Sequence, residues 1–234
     1  MAIVLAIGSP KGGVGKTVSS VTLATMAAKL LKLHVFLVDT DENRCALDWV
    51  SDASDDDIPI DASYGADDPD TVAQLREADY DLAVLDLAGD RTGYFAQLLK
   101  RQRSGEPAVD FLLIPSKAEL IDIRPVARVI ADEVQPLDLP YLMVLTQVKT
   151  AGMTRAERRR DELRENGFTV ADRIVREYST HNEASEVHKT VLDLPGKHSK
   201  ARSAEEDYRA LGVEVFGAMG FDIEPLKERS KWLA

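Results

Sequence analysis

The stretch Ser9-Pro10-Lys11-Gly12-Gly13-Val14-Gly15-Lys16-Thr17 restricts this chain more than any other. It follows an apolar run, Ile3 to Ile7, and opens a segment with helical apolar spacing at Val18, Val21, Met26 and Leu30. Strand, glycine-rich turn and helix in that order are the context of a phosphate-binding loop. Glycines let the backbone turn sharply, and the free N–H groups and dipole of the helix N-terminus favour negative charge there. Lys16 is placed to reach the β- and γ-phosphates, and Thr17 to put its hydroxyl on Mg²⁺. The common pattern, G-x-x-x-x-G-K-[ST], wants glycine where this chain has Pro10. What stands instead is K-G-G-x-G-K-T, with an additional lysine, Lys11, at the mouth of the loop.

Composition narrows the setting. At 234 residues, 44% of them apolar, the chain suits one large α/β domain spanning 1–234. No apolar run reaches membrane-spanning length, and no charged leader with a cleavage site precedes the first strand, so a cytoplasmic protein is expected. Cys45 is the sole cysteine, which excludes an intramolecular disulfide and any cysteine-only metal site within one chain. Its position in an expected helix predicts that it is buried.

Further along, His34 to Val38 reads as a buried parallel strand ending in Asp39-Thr40-Asp41, with a helix from Arg44 to Val50. The aspartates of Asp52 to Asp57 read as a solvated loop, followed by a short helix over Asp70 to Ala78. Tyr80 to Asp86 repeats the pattern of an apolar strand ending in Asp, and a helix is expected over Gly93 to Gln102. Strands follow at Val109 to Pro115 and Tyr141 to Leu145, with an edge strand at Phe168 to Val175. Helices are expected at Leu120 to Val134, Thr154 to Glu165, Asn182 to Thr190 and Glu205 to Met219. The alternation predicts a mostly parallel twisted sheet of about seven strands with helices on both faces. Carboxylates at strand ends beside the glycine-rich loop lie where open α/β sheets bind ligands.

The net charge of −11 is unevenly spread. Residues 39 to 90 hold seventeen acids against Arg44 and Arg76, whereas the first 38 residues carry four lysines and no acid. Basic residues also gather in the last third. Arg155, Arg158, Arg159, Arg160 and Arg164 are interleaved with acids and suit a solvated helix as well as a polyanion site. Lys189, Lys197, Lys200 and Arg202, around the Leu194-Pro195-Gly196 turn, have fewer compensating acids and are the better candidates for DNA phosphate contacts.

The loop K-G-G-x-G-K-T, the Asp39-Thr40-Asp41 box and the Asp86-Leu87-Ala88-Gly89 segment together resemble the ParA/MinD family of deviant Walker A P-loop ATPases. The likeness runs from Ile3 to about Met219 and is closest to the small single-domain plasmid-partition type. It implies that Lys11, Gly12, Gly13, Val14, Gly15, Lys16 and Thr17 bind ATP and that Lys11 reaches the partner's nucleotide across a homodimer. It further implies that Asp41 orients the attacking water, and that Thr17, Asp39 and Asp86 serve Mg²⁺ directly or through its waters. The family box D-x-D-P-Q here ends in Glu42-Asn43. By the same resemblance Thr146 and Gln147 line the adenine pocket, and the loop from Ile114 to Asp122 lies near the dimer face. The implied function is slow, partner-stimulated ATP hydrolysis coupled to non-specific DNA binding, with a ParB-like partner protein and a nucleoid-associated location. A MinD-like membrane switch is the alternative; the tail from Pro225 to Ala234 makes a weak anchor, so no stable membrane association is expected. Amide-forming relatives such as dethiobiotin synthetase lack the Lys11-type lysine, and the iron–sulfur members need more cysteines than Cys45.

Overall fold

A computed structural model describes residues 1–65, 74–89, 108–194 and 199–228. Among them six strands form one parallel sheet, β1 (Ile3–Ile7), β2 (Val35–Asp39), β3 (Asp61–Tyr64), β4 (Leu82–Asp86), β5 (Phe111–Ser116) and β6 (Tyr141–Leu145), in the order β3-β2-β4-β1-β5-β6. Seven α-helices lie wholly within the described residues: α1 (Lys16–Leu30), α2 (Cys45–Ser51), α3 (Leu120–Val129), α4 (Met153–Glu165), α5 (Thr180–Glu186), α6 (Ser199–Ala218) and α7 (Glu224–Glu228). The helix expected over Gly93 to Gln102 lies outside the described residues, and of the one expected over Asp70 to Ala78 residues 74–77 are described as helical.

The central strands are apolar on both sides because helices cover both faces. Leu5 and Ile7 of β1 join a core with α1, α2 and α6 that includes Met26, Trp49, Tyr208 and Phe216. Val4 and Ala6 point to the opposite core, closed by Ile123 and Val126 of α3 and Ala156 and Leu163 of α4. Helix α1 is buried from Ser19 to Ala27, being enclosed between the sheet and α6. There the helices approach so closely that a Cβ on Gly212 would stand 2.5 Å from Met26 Sδ. Inside this contact the Tyr208 hydroxyl and Ser19 Oγ are 3.1 Å apart, and burial pushes the phenol's pKa up.

Strand order positions the site. β2 does not pair with β1; β4 lies between them, in register Ile7 with Asp86 and Asp39 with Asp86. The carboxyl ends of β1, β2 and β4 therefore meet at one point, and each delivers its next residues to the same crevice.

Three expectations are corrected. The sheet has six described strands rather than about seven: β3 is an addition, while the segment Phe168 to Val175 makes no strand, only an isolated bridge from Val170 to Met143, with a second just beyond it from Arg176 to Val148. Carboxylates of α6 hold the amides along this segment that do not bond toward β6. Glu214 accepts the backbone N–H groups of Asp172 and Arg173 at 2.7 and 2.8 Å, and Asp207 accepts that of Arg176 at 2.9 Å. Cys45 is exposed, because Arg44 caps α2 in a left-handed conformation and the inward face falls on Ala46, Trp49 and Val50. Finally, α3 ends its regular turns at Val129 and passes through a π turn over Ile130–Val134, with Pro125 already removing one interior N–H donor.

Candidate nucleotide site

The glycine-rich loop leaves β1 and closes on α1 through Gly13 and Gly15, whose φ values of 64° and 84° are the left-handed geometry a side chain resists. Gly15 is the N-cap of α1. No side chain caps that helix and no acid lies in its first turn, so its leading N–H groups remain available to an anion. This favours phosphate over any carboxylate of the chain itself.

Lys16 folds back over the loop, its Nζ 3.4 Å from the Lys11 carbonyl oxygen. Burial lowers its pKa, opposed by the charges of Asp86 and Asp41. Gly89 leaves the space this side chain occupies: a Cβ there would meet Lys16 Nζ at 2.8 Å. Lys11 points elsewhere, its ammonium 4.0 Å from Asp122 Oδ1 at the start of α3.

Asp86, 2% exposed, accepts hydrogen bonds from Thr17 Oγ1 and Ser20 Oγ, both at 2.8 Å. Burial raises its pKa to about 7, against the two hydroxyl donors that lower it. Thr40 fastens the end of β4 by donating to the Asp86 carbonyl at 3.1 Å and accepting from the Ala88 N–H at 2.9 Å. Asp39 is fully buried and spends both oxygens on backbone amides: Oδ1 accepts from Asp41, Oδ2 from Ala46 and Leu47. It thereby holds the start of α2 under the crevice. Asp41 is partly exposed, and its Oδ1 accepts from the backbone and side-chain nitrogens of Asn43 at 3.0 and 2.9 Å.

Beside the loop opens a cavity of about 510 Å³, bordered by Gly15, Val18, Gln147, Tyr178, His181 and Tyr208. Thr146 and Gln147 both line it. The Thr146 hydroxyl is turned away, donating to the Val14 carbonyl at 2.8 Å and so tying the loop to β6. Gln147 has a φ of 53° and carries its amide to within 3.8 Å of where a Gly15 Cβ would be. Both ring nitrogens of His181 are buried, and burial lowers its pKa, against the Arg176 backbone and the Asp207 charge, which raise it.

The other basic candidates are scattered around this centre. Lys189 is paired with Asp57 at 3.0 Å, and its carbonyl accepts from Trp49 Nε1. Lys200 is exposed and borders the nucleotide-side cavity, Arg202 is exposed on α6, and Lys197 lies outside the described residues. On α4, Arg159, Arg160 and Arg164 are engaged by Glu162, Asp161 and Asp172, while Arg155 and Arg158 are exposed. Ser20, Thr40, His181 and Tyr178 escaped the sequence reading. Ser20 had a signal, since one helical turn after Lys16 it must share that lysine's face; the others reach the site only through tertiary packing.

A glycine-rich loop between a parallel strand and a helix, with strand-end carboxylates gathered at the point where strand order reverses, defines a P-loop nucleotide-binding domain. The chain belongs to the CobQ/CobB/MinD/ParA nucleotide-binding domain family, whose profile matches residues 5–225. It is 30% identical over 220 residues to the maintenance of carboxysome distribution protein A of Gloeobacter kilaueensis, covering 91% of this chain and 93% of that protein. Among solved structures, the MinD cell division protein of Aquifex aeolicus superposes with a TM-score of 0.69 at 23% identity, covering 92% of this chain and 98% of that one. The ATP complex of a Cyanothece McdA variant has the same TM-score of 0.69 at 16% identity, covering 94% and 97%. These likenesses carry the fold. Among the described residues no helix is long and apolar enough to cross a membrane.

Proposed function

We propose that this chain is an ATP-dependent dimerisation switch of ParA type, which binds DNA without sequence preference and hydrolyses ATP slowly to position a cargo. The donor set suits the cofactor. The uncapped first turn of α1 and Lys16 would hold the phosphates, Thr17 and Asp86 would hold Mg²⁺, and the cavity beside Gly15 would take the base. Bound ATP supplies the phosphoryl group and, with its metal, most of the charge that these residues are arranged to compensate.

The observation that carries the reading is the separation of the two lysines. Lys16 already serves the loop of its own subunit, whereas Lys11 is held off it beside Asp122 and remains one-third exposed. A second cation at the mouth of a loop that does not use it suits the nucleotide of a second copy. Asp41, near enough to Lys16 to act on its charge, is the candidate for orienting the attacking water. A ParB-like protein is the expected stimulator of hydrolysis, and the relative named for carboxysome distribution supports a positioning role without identifying the cargo. DNA retention by the purified chain with ATP–Mg²⁺, with ADP–Mg²⁺ and without nucleotide is the test. Retention only with ATP is expected; equal retention in all three removes the switch, and none in any removes DNA.

A further inference from the structure

Residues 175–179 form one wall of the nucleotide-side cavity, and the glycine-rich loop borders it through Gly15. Two consecutive residues of α6 tie to these two sides. The Tyr208 hydroxyl lies 3.1 Å from Ser19 Oγ, which donates to the Gly15 carbonyl at 2.8 Å. Ser19 has one proton and gives it to Gly15, so Tyr208 is the donor to Ser19. Asp207 holds the other side. It accepts the Arg176 backbone N–H at 2.9 Å and the Arg176 guanidinium through Nε at 2.9 Å and Nη2 at 2.7 Å, while Arg173 supplies a second cation through its own Nη2.

One edge of this wall is held by backbone alone, the N–H groups of Val175 and Glu177 donating to the carbonyls of Leu145 and Val148 at 2.9 Å each. The Arg176 amide between them is turned to the other edge, where the Asp207 carboxylate stands in for a neighbouring strand. Asp207 is fully buried and does not border the cavity, so it acts there only through Arg176 and the wall. A guanidinium fork meets two carboxylate oxygens at fixed distances and angles, and a buried carboxylate tolerates no loss of its cations. The link from α6 to the wall is therefore stiff in a way that an apolar contact is not.

We infer that Asp207 is a positioning residue for nucleotide recognition, fixing the base-side wall at a set separation from the glycine-rich loop through α6, which Tyr208 ties to that loop. This rests on the nucleotide function proposed above, with the base in this cavity. A ligand that spans both sides, phosphates at the loop and a base at the wall, binds more tightly when the wall is already ordered by folding, because no ordering cost is left for binding. A ligand that touches the loop alone gains nothing from the wall.

The test is equilibrium binding of two ligands to the full chain in Mg²⁺: ATP, and inorganic tripolyphosphate, which has no base. Wild type should bind ATP the more tightly. Asp207→Asn, nearly isosteric but uncharged, should weaken ATP binding by about tenfold and leave tripolyphosphate within about twofold. Arg176→Lys, which keeps the cation but loses the fork, should do the same and serves if Asp207→Asn does not fold. A merely structural role would lower Tm and leave the preference for ATP over tripolyphosphate unchanged; that result overturns the positioning role while the nucleotide function stands. Equal binding of the two ligands by wild type overturns the cavity as the base site, and the positioning role with it.

Discussion

Lys11 and Asp122 face each other across 4.0 Å within a single chain, joining the mouth of the glycine-rich loop to the first turn of α3. At that distance, with the lysine one-third and the aspartate one-fifth exposed, the pair is weak and easily exchanged for a better partner. Lys11 is therefore stored close to its own loop without being committed to it.

Lys11→Ala is expected to leave ATP affinity within about threefold of wild type, since the loop keeps Lys16, but to abolish the ATP-dependent dimer and hydrolysis. Nucleotide titration combined with light scattering checks both halves. A dimeric Lys11→Ala protein would remove the ParA-type switch.

Two other substitutions should fail in different ways. Lys16→Ala should weaken ATP binding by about 100-fold, because a half-buried cation beside the phosphates is lost. Asp41→Ala should keep ATP and Mg²⁺ but lower turnover by about 100-fold, so that dimer accumulates. Single-turnover hydrolysis beside equilibrium binding distinguishes them; normal turnover in Asp41→Ala excludes it as the water-orienting group.

Asp86 predicts a pH dependence of the nucleotide-free chain. Its folded pKa, about 7, lies above the ordinary value of 3.8 because burial penalises the ionised form. The protonated state is thus favoured by folding, and its contribution, full below about pH 4, is lost as the pH rises through 7. In EDTA, the Tm of wild type should fall between pH 5 and 8 relative to that of Asp86→Asn, which has no proton to lose. Parallel Tm profiles would show that Asp86 is ionised throughout.

The DNA surface is open to a charge test. Lys189 is engaged by Asp57, so reversing it should reduce stability more than DNA binding. Lys200→Glu with Arg202→Glu should weaken ATP-dependent DNA retention about tenfold at low salt for all sequences alike and flatten the salt dependence. If that double variant is silent while Arg155→Glu with Arg158→Glu is not, the contacts lie on α4.

The order of elements and the chemical identity of the loop were legible in the sequence because both depend on neighbours along the chain. An apolar strand, glycines that accept positive φ, and a lysine and threonine at a helix start announce themselves within fifteen residues, Ile3 to Thr17. Asp39 and Asp86 were legible as strand ends for the same reason. Their division of labour was not: Asp39 turned to the amides of α2 while Asp86 took hydroxyls from α1, a choice made by which helix each strand end faces. The hold on the segment after Phe168 was equally hidden, since the carboxylates that accept its free amides come from α6, far along the chain. Local pattern determined the strands, the helices and the phosphate loop of this protein. Only tertiary packing decided which charges are held closely within the chain, as Asp39, Asp207 and Lys189 are, and which, like Lys11, have only a long contact with an acid; pairing depends on distance in space, and burial sets what an unpaired group costs.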